Sequence, residues 1–293
     1  ITLSCRFAVP VFFIMSDYFA RAKLLAGGHL IQPVLSRLVV LFFLSSLLYI
    51  PFQLVRGGAV FLIGILTDFR LLYEGTCFHL WFLSSLFFGM LMVSLLNQLK
   101  MRGVLFITST AILTIYLYSN YTQAFSETQI SFLRYLSSIP LIYLGTQTEK
   151  LRSFCGKASL LIPCSALLLG SVLLFLEVLL MRSSHSIDHA KFQFSIGILI
   201  QSCALFMGTL ALPPKSGMTL WAEFGLKHSL GIYIIHVWIV TIIKKVYIFT
   251  GIIDQFWSAL LMGPIVFLIS LFILLIAKFI FNQLVGEQVP VRQ

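Results

Sequence analysis

The feature that most constrains this chain is the recurrence of long apolar runs. A helix needs about 20 mostly apolar residues to cross the hydrocarbon layer of a membrane. Backbone groups in lipid must bond within their own segment, and these runs do not alternate as barrel strands do. The sequence therefore predicts an all-α, polytopic transmembrane helical bundle. About nine helices are expected, near residues 5–20, 34–53, 78–98, 104–118, 131–146, 158–181, 193–212, 229–248 and 257–281.

Composition supports a membrane protein and excludes several other classes. Hydrophobic residues make up 59% of the chain and charged residues 10%, and the mean hydropathy is +1.00. These values lie outside the range of soluble domains. The net charge of +10 does not predict nucleic-acid binding, because Lys and Arg lie singly or in small groups between the apolar runs. Short cytoplasmic loops of membrane proteins are enriched in these residues.

The basic residues of the loops predict the orientation. With alternate loops assigned to opposite sides, one side collects twelve Lys and Arg residues and the other collects eight. Three short loops carry much of this bias, and short loops follow the positive-inside rule best. We therefore place RAKLLAGGHLIQPVLSR, NQLKMRG and QTEKLRSFCGK in the cytoplasm, which makes the C-terminus cytoplasmic. Residue 1 then lies outside, so we expect a helix to precede it.

The sequence gives no sign of a second domain or of a metal site. No repeat or low-complexity linker divides the chain, so one membrane domain over residues 1–293 is predicted. The five cysteines lack C-x-x-C spacing. His185, Asp188 and His189 in RSSHSIDHAK have no third ligand nearby, so no metal is expected. Phosphate-loop, G-x-S-x-G and H-E-x-x-H motifs are also missing.

Polar residues within the apolar runs are the candidates for chemistry, because a central charge costs about 2.5–3.5 kcal/mol there. His236 lies within SLGIYIIHVWIV, and Tyr233 precedes it on the same helical face. His79 opens the run FHLWFLSSLFFGML. A structural interpretation stays open for both histidines: an interhelical hydrogen bond or an interfacial position. Asp17 is expected to pair with Arg21, one turn later.

Four segments together resemble the acyltransferase 3 family, membrane enzymes that O-acylate cell-surface glycans and related acceptors. The arginine-led RFAVPVFFIMSDYF (6–19) resembles the family's second helix, and SRLVVLFFLSSLLYI (36–50) its third. FHLWFLSSL (78–86) is similar to the h-L-W-F-L motif, and SLGIYIIHVWIV (229–240) to the late S-l-g-I-Y-l-i-H element. The branch resembled most is that of bacterial surface-polysaccharide O-acetyltransferases. The family has about ten helices, so the resemblance implies that this chain lacks the first.

The resemblance implies transfer of an acyl group, commonly acetyl from cytoplasmic acetyl-CoA, to a hydroxyl of a lipid-linked or extracytoplasmic sugar. The expected location is a bacterial inner membrane. Acyl-CoA, the glycan and membrane lipid are the implied partners, and no bound cofactor is implied. Arg37 and Arg21 are the expected contacts of the acyl-CoA phosphates. His79, His236 and Tyr233 are the expected catalytic residues, which would orient the acceptor hydroxyl or relay its proton.

The chain departs from the family pattern in two ways. The family's essential His, with an Arg upstream of it, belongs to the first helix, so the chain as given is expected to be a fragment or inactive. Asp17 replaces the Gly of the S-G-y motif, and Val34 replaces the first arginine of an R-x-x-R pair, which leaves Arg37 alone. A secondary transporter or an exporter of lipid-linked sugars is the alternative, although the repeats expected for one are not seen. The acceptor, the acyl group and the oligomeric state are not predicted.

Overall fold

A computed structural model describes residues 6–26, 28–68, 71–77, 79–122, 125–147, 150, 153, 160–183, 194–212, 220–251 and 256–286. These residues form helices joined by loops and turns, with no strand among them. The elements are α1 (Ala8–Ala26), a 3-10 helix (Gly28–Leu30), α2 (Gln32–Thr67), α3 (Leu71–Glu74), α4 (Trp81–Gln98), α5 (Arg102–Thr122), α6 (Glu127–Leu136), α7 (Ser138–Thr146), α8 (Leu161–Ser183), α9 (Ile196–Ala211), α10 (Leu220–Thr250) and α11 (Phe256–Gly286).

The helices have the length and surface of a membrane bundle. In the described part of the chain, six are long and apolar enough to cross a bilayer, and α9 is a shorter apolar helix. Large apolar side chains remain exposed on them, including Phe43 at 57%, Phe175 at 63% and Phe279 at 65%. Such surfaces suit lipid rather than water. The prediction of an all-α, polytopic transmembrane bundle is confirmed. The six spanning segments are Gln32–Val55, Trp81–Gln98, Arg102–Thr122, Leu161–Leu180, Lys227–Thr250 and Leu261–Ile280.

The predicted span 131–146 is two helices rather than one. α6 ends at Leu136, α7 begins at Ser138, and Ser137 lies between them. Pro140 accounts for the break, because it has no amide hydrogen to bond the carbonyl of Leu136 and its ring clashes there. The Ser137 hydroxyl instead donates to the Arg134 carbonyl at 2.5 Å. A second interruption occurs in α2, where Gly58 has φ 54° and ψ −143°.

Glycines allow the helices of the larger unit to pack closely. α1 packs against α7, α4 and α9. At Gly145 on α7, a Cβ atom would lie 2.6 Å from the Ile14 carbonyl oxygen and 2.7 Å from the Asp17 Cβ. Gly170 on α8 and Gly197 on α9 face each other in the same way, since a Cβ on Gly197 would lie 2.7 Å from the Gly170 carbonyl oxygen. Small residues at helix crossings are typical of membrane bundles, where close backbone contact drives association.

The chain divides into two compact units. The larger is Thr2–Pro213, and the smaller consists of Pro214–Gln293 together with Ile1. In the smaller unit α10 packs on α11 around Ile239, Ile243 and Val266. The single membrane domain over residues 1–293 stays a prediction.

Candidate functional site

Contacts between helices of the larger unit define two polar regions, one before the start of α4 and one near its end. At one, the His79 end, the ring of His79 before α4 contacts Tyr49 near the far end of the spanning part of α2. At the other, the Arg37 end, the Ser94 hydroxyl of α4 donates to the Leu24 carbonyl of α1 at 3.3 Å. Arg37 lies in the second turn of α2 at this second end.

His79 is buried within the bundle. Its side chain is 6% exposed, and its ring meets that of Tyr49 edge-on at 4.9 Å between centroids. Side chains tie the preceding loop to α2: the Gln53 amide donates to the Thr76 carbonyl at 2.7 Å, and the Thr76 hydroxyl donates to the Ser46 carbonyl at 2.6 Å. These bonds hold the loop, and with it the imidazole, against the helix.

A glycine shapes the turn into this loop. Gly75 has φ 76°, and a Cβ there would lie 2.8 Å from the Leu80 Cβ and 3.1 Å from the Phe42 ring. An L side chain rarely adopts this backbone conformation, and here it would also have no space. Gly75 therefore lets the loop approach α2 closely.

A charged group lies beside this loop. The Arg134 Cζ of α6 lies over the Trp81 ring, 4.7 Å from its centroid, and an Arg134 nitrogen is 3.8 Å from a Glu74 oxygen. The two charged side chains are 19% and 28% exposed. Arginine is attracted to the face of an indole, which lowers the cost of keeping the charge inside the bundle. The sequence interpretation did not select Arg134 or Glu74, because no local pattern records a contact between them.

Serine hydroxyls hold α4 against α6 and α7 at this end. The Ser84 hydroxyl donates to the Trp81 carbonyl at 3.0 Å, and the Tyr135 hydroxyl donates to the Ser84 carbonyl at 3.1 Å. The Ser85 hydroxyl donates to the Tyr135 carbonyl at 2.5 Å, and that of Ser138 donates to the Ser85 carbonyl at 2.8 Å. The Ser85 hydroxyl and the Ser84 carbonyl of FHLWFLSSL thus join the helices that carry Trp81 and its cationic partner.

Asp17 lies inside the larger unit, toward the Arg37 end. It has 0% exposure, and neither carboxylate oxygen has a hydrogen-bond partner among the described residues. The α7 backbone at Gly145 packs directly against the Asp17 side chain. Arg21, one turn later, acts on it electrostatically, but no hydrogen bond joins the two side chains in the described part. The paired carboxylate expected from the sequence is therefore a buried carboxyl without a bonded partner.

The two arginines predicted to bind acyl-CoA lie at the Arg37 end. Arg21 is half-buried near the end of α1, and Arg37 is exposed in the second turn of α2. No side chain caps the first turn of α2, which begins with Gln32 and Pro33. Pro33 has no amide hydrogen, and the Val34 and Leu35 amides bond the Ile31 carbonyl. The attraction for anions at this terminus therefore comes from the helix dipole and the Arg37 charge.

The smaller unit holds the other two predicted catalytic residues. His236 and Tyr233 lie on α10, with ring centroids 5.6 Å apart. The His236 Nδ1 atom lies 2.5 Å from the Tyr233 carbonyl oxygen. A carbonyl only accepts, so Nδ1 donates and carries the proton of a neutral imidazole. At the start of the helix, a hydrogen bond from Lys227 lowers the pKa of the exposed Glu223 carboxyl. The catalytic roles of both residues stay predictions.

Metal-binding geometry is not found in the described part of the chain, where no three His, Cys, Asp or Glu side chains cluster suitably. His185, Asp188 and His189 lie outside the described residues.

The fold and the polar sites define a multi-pass membrane protein with buried polar groups near both ends of one helical unit. A family model described as the acyltransferase domain, that of the acyltransferase 3 family, matches residues 1–280. The chain belongs to this family. An amino-acid racemase of Enterococcus faecalis is 29% identical over 97 residues, which are 31% of this chain and 14% of that protein. The chain thus spans about one seventh of that curated relative. No solved structure matches it.

Proposed function

We propose that this chain acts in a membrane acyltransferase that moves an acyl group, acetyl in the simplest case, from cytoplasmic acyl-CoA to a hydroxyl of a cell-surface or lipid-linked glycan. The proposal places it in a bacterial inner membrane with its C-terminus in the cytoplasm. The observation that carries it is the position of two polar regions on one helix. Arg37 lies in the second turn of α2, and Tyr49, which contacts the buried His79, lies twelve residues later on it. At 1.5 Å per residue, the two positions are about 18 Å apart along the helix.

An elongated donor suits this separation. Acyl-CoA carries its phosphates at one end and its reactive thioester at the other, joined by a long flexible arm. We assign the phosphates to Arg37 and Arg21, helped by the dipole of α2, which begins a turn before Arg37. The thioester then extends toward the His79 end. Donor and acceptor start on opposite sides of the membrane, so a site of this kind is needed to bring them together.

Acid–base chemistry is assigned to the histidines. The acceptor hydroxyl oxygen attacks the thioester carbonyl carbon, the carbon–sulfur bond breaks, and CoA leaves as the thiol. A base must take the hydroxyl proton and return one to the sulfur. We assign the role of acid–base group to His79, which lies in the larger unit, and to His236, which lies in the smaller unit. With Nδ1 donating to the Tyr233 carbonyl, the lone pair of the neutral His236 imidazole is on Nε2.

The decisive experiment uses membrane vesicles that contain the protein expressed from its complete gene, supplied with labelled acetyl-CoA. Label on the glycan is expected. Movement of glycan across the membrane without label would refute acyl transfer to it and favour the transporter alternative.

Two variants test the histidine roles in the same vesicles. His79→Ala and His236→Ala are each expected to lower the rate of label transfer by about 10²–10⁴-fold, which is typical for loss of a general acid–base group. His29→Ala is the matched control, since His29 is exposed in the 3-10 helix. An unchanged rate in His236→Ala would leave His236 with a purely interhelical role.

A further inference from the structure

We propose that a groove between α4, α5 and α6 holds the hydrocarbon chain of the lipid that carries the acceptor sugar. The inference rests on the proposed function and selects, from its two kinds of acceptor, the lipid-linked glycan. The groove lies in the larger unit and has a volume of about 740 Å³. Cavities of about 300–1,000 Å³ bind small ligands. The lining is mostly aromatic and aliphatic, and it includes Phe88, Ile115, Phe132, Leu133 and Leu136.

One face of α6 forms a wall of this groove. Gln129, Phe132 and Leu136 line it, and their spacings of three and four residues place them on the same side of the helix. Arg134 does not line the groove and lies instead over the Trp81 ring of α4. The wall that α6 contributes is therefore largely apolar.

The groove opens toward lipid. Ile115 and Phe132 line it and are 44% and 53% exposed, although both are large apolar side chains. Ile115 belongs to the spanning segment Arg102–Thr122, which hydrocarbon surrounds in a membrane. An empty groove costs dispersion energy, because the atoms that line a void have no contacts on that side. A lipid chain therefore fills the groove when the protein is in a bilayer.

The groove lies toward the His79 end of the larger unit. The Ser138 hydroxyl of α7 donates to the Ser85 carbonyl of α4, and one turn further along both helices Ile142 packs against Gly89. α7 therefore runs away from the His79 end beside α4, and α6, which precedes it, lies nearer that end. Phe88, at the groove, is seven residues into α4 and about 10 Å from its start. Since the hydrocarbon layer is about 30 Å thick, a chain in the groove occupies the half of the membrane that faces the His79 end.

The wall of the groove is continuous with the loop that carries His79. Tyr73 lines the groove six residues before His79, and its ring contacts that of Tyr135 at 5.6 Å between centroids. The Tyr135 hydroxyl in turn donates to the Ser84 carbonyl of the FHLWFLSSL motif. A lipid whose chain lies in the groove therefore has its head group beside this loop, where the proposed reaction needs the acceptor hydroxyl.

The rim of the groove selects among lipids. Contact with the apolar wall does not, because lipid tails are as apolar as leucine side chains. Thr128 and Gln129 line the groove and are exposed in the first turn of α6, and they offer hydroxyl and amide donors to a phosphate or sugar head group. One groove holds one chain, and a polyprenyl phosphate has a single chain, whereas a phospholipid has two. The occupant therefore belongs to the class of single-chain carrier lipids that hold their sugar through phosphate.

The experiment is photo-crosslinking of the full chain in phosphatidylcholine nanodiscs. Benzoylphenylalanine replaces Phe132, tritiated decaprenyl phosphate is titrated into the discs, and the label attached to the protein after illumination is measured. Labelling at this position is expected to saturate. Benzoylphenylalanine in place of Phe175 is the matched control, because Phe175 is also exposed, on α8, and does not line the groove. Labelling there is expected to rise in proportion to the probe.

Competitors and two substitutions make the result specific. Unlabelled decaprenyl phosphate is expected to abolish the labelling at position 132, whereas an equal amount of phosphatidylglycerol, a two-chain phosphate lipid, should leave it unchanged. Ile115→Trp places an indole in the space of the chain, so the apparent affinity for decaprenyl phosphate should fall at least about tenfold. Ile107→Trp is the matched control, since Ile107 is exposed on the same helix outside the groove, and its replacement should leave the affinity unchanged.

The outcomes separate the possible occupants. Equal, unsaturated labelling at positions 132 and 175, equal competition by phosphatidylglycerol, or an unchanged affinity in Ile115→Trp overturns the proposal. Competition by palmitoyl-CoA in place of decaprenyl phosphate would assign the groove to the acyl chain of the donor and would also overturn it. If Ile115→Trp does not fold, the competition measured with Ile115 intact decides the question. The assay measures binding without transfer, so its failure would leave the proposed acyl transfer standing, and a failed transfer assay would not affect this result.

Discussion

Substitution of Gly75 by alanine tests how the loop that carries His79 is held. Alanine at φ 76° pays about 1–2 kcal/mol for the left-handed backbone. Its Cβ would also lie 2.8 Å from the Leu80 Cβ, an atom fixed directly to the backbone that cannot rotate away. Overpacking of this kind costs about 1–3 kcal/mol. The two penalties together predict a loss of about 2–5 kcal/mol in the free energy of unfolding.

The assay is equilibrium unfolding in mixed micelles, with Gly251→Ala as the matched control. Gly251 has φ 71° but no atom within 4 Å of its ideal Cβ position. Gly251→Ala is therefore expected to lose only the backbone penalty, about 1–2 kcal/mol, from the free energy of unfolding. The gain from stiffening the unfolded chain is similar for both variants and cancels in the comparison. If Gly75→Ala is no more destabilising than Gly251→Ala, the close contact with Leu80 does not constrain the loop.

Three further predictions concern helix packing, and each is measured by the same equilibrium unfolding assay in mixed micelles. Gly145→Ala is expected to cost about 1–3 kcal/mol, because its Cβ would lie 2.7 Å from the Asp17 Cβ, whereas Gly103→Ala, with open space around it, should cost nothing measurable. Glu177→Gln is expected to cost about 1–2 kcal/mol, because the carboxylate accepts the Ile196 amide at 3.1 Å at the start of α9, and an unchanged stability would contradict this role. Asp17→Asn should leave stability equal or higher, since the carboxylate has no bonded partner in the described part, and a clear loss would show that its charge is compensated.

Most of the fold could be predicted because transfer into lipid depends on the summed hydropathy of a segment, which a single sequence records. Details that depend on single backbone positions do not follow from the summed hydropathy of a segment. The break between α6 and α7 follows from Pro140, one residue within a continuous apolar run, and a count of apolar runs does not detect it. The extension of α2 past Gly58 likewise lies outside what hydropathy measures.

The candidate site could be predicted only in part. His79 was selected because it stands in a sequence motif, but the pairing of Arg134 with Glu74 depends on how α3 and α6 pack, and no local pattern encodes that contact. For Asp17 and Arg21, the sequence predicted a contact that no hydrogen bond makes in the described part of the chain. Their spacing permits an ion pair on one helix face, yet the Asp17 side chain packs against the α7 backbone at Gly145 instead.

The FHLWFLSSL motif links family membership to the geometry of the site. Lipid tails are as apolar as leucine, so hydrophobic burial does little to bring helices together, and small residues and hydrogen bonds decide their placement. The Ser85 hydroxyl donates to the Tyr135 carbonyl, and the Tyr135 hydroxyl donates to the Ser84 backbone carbonyl. These bonds between α4 and α6 set where α6 presents Arg134. Trp81, from the same motif, provides the surface on which that arginine rests. A buried cation is tolerated in this bundle because one short motif supplies both its position and its aromatic partner, so a change of Ser85 should displace the charge as well as loosen the helices.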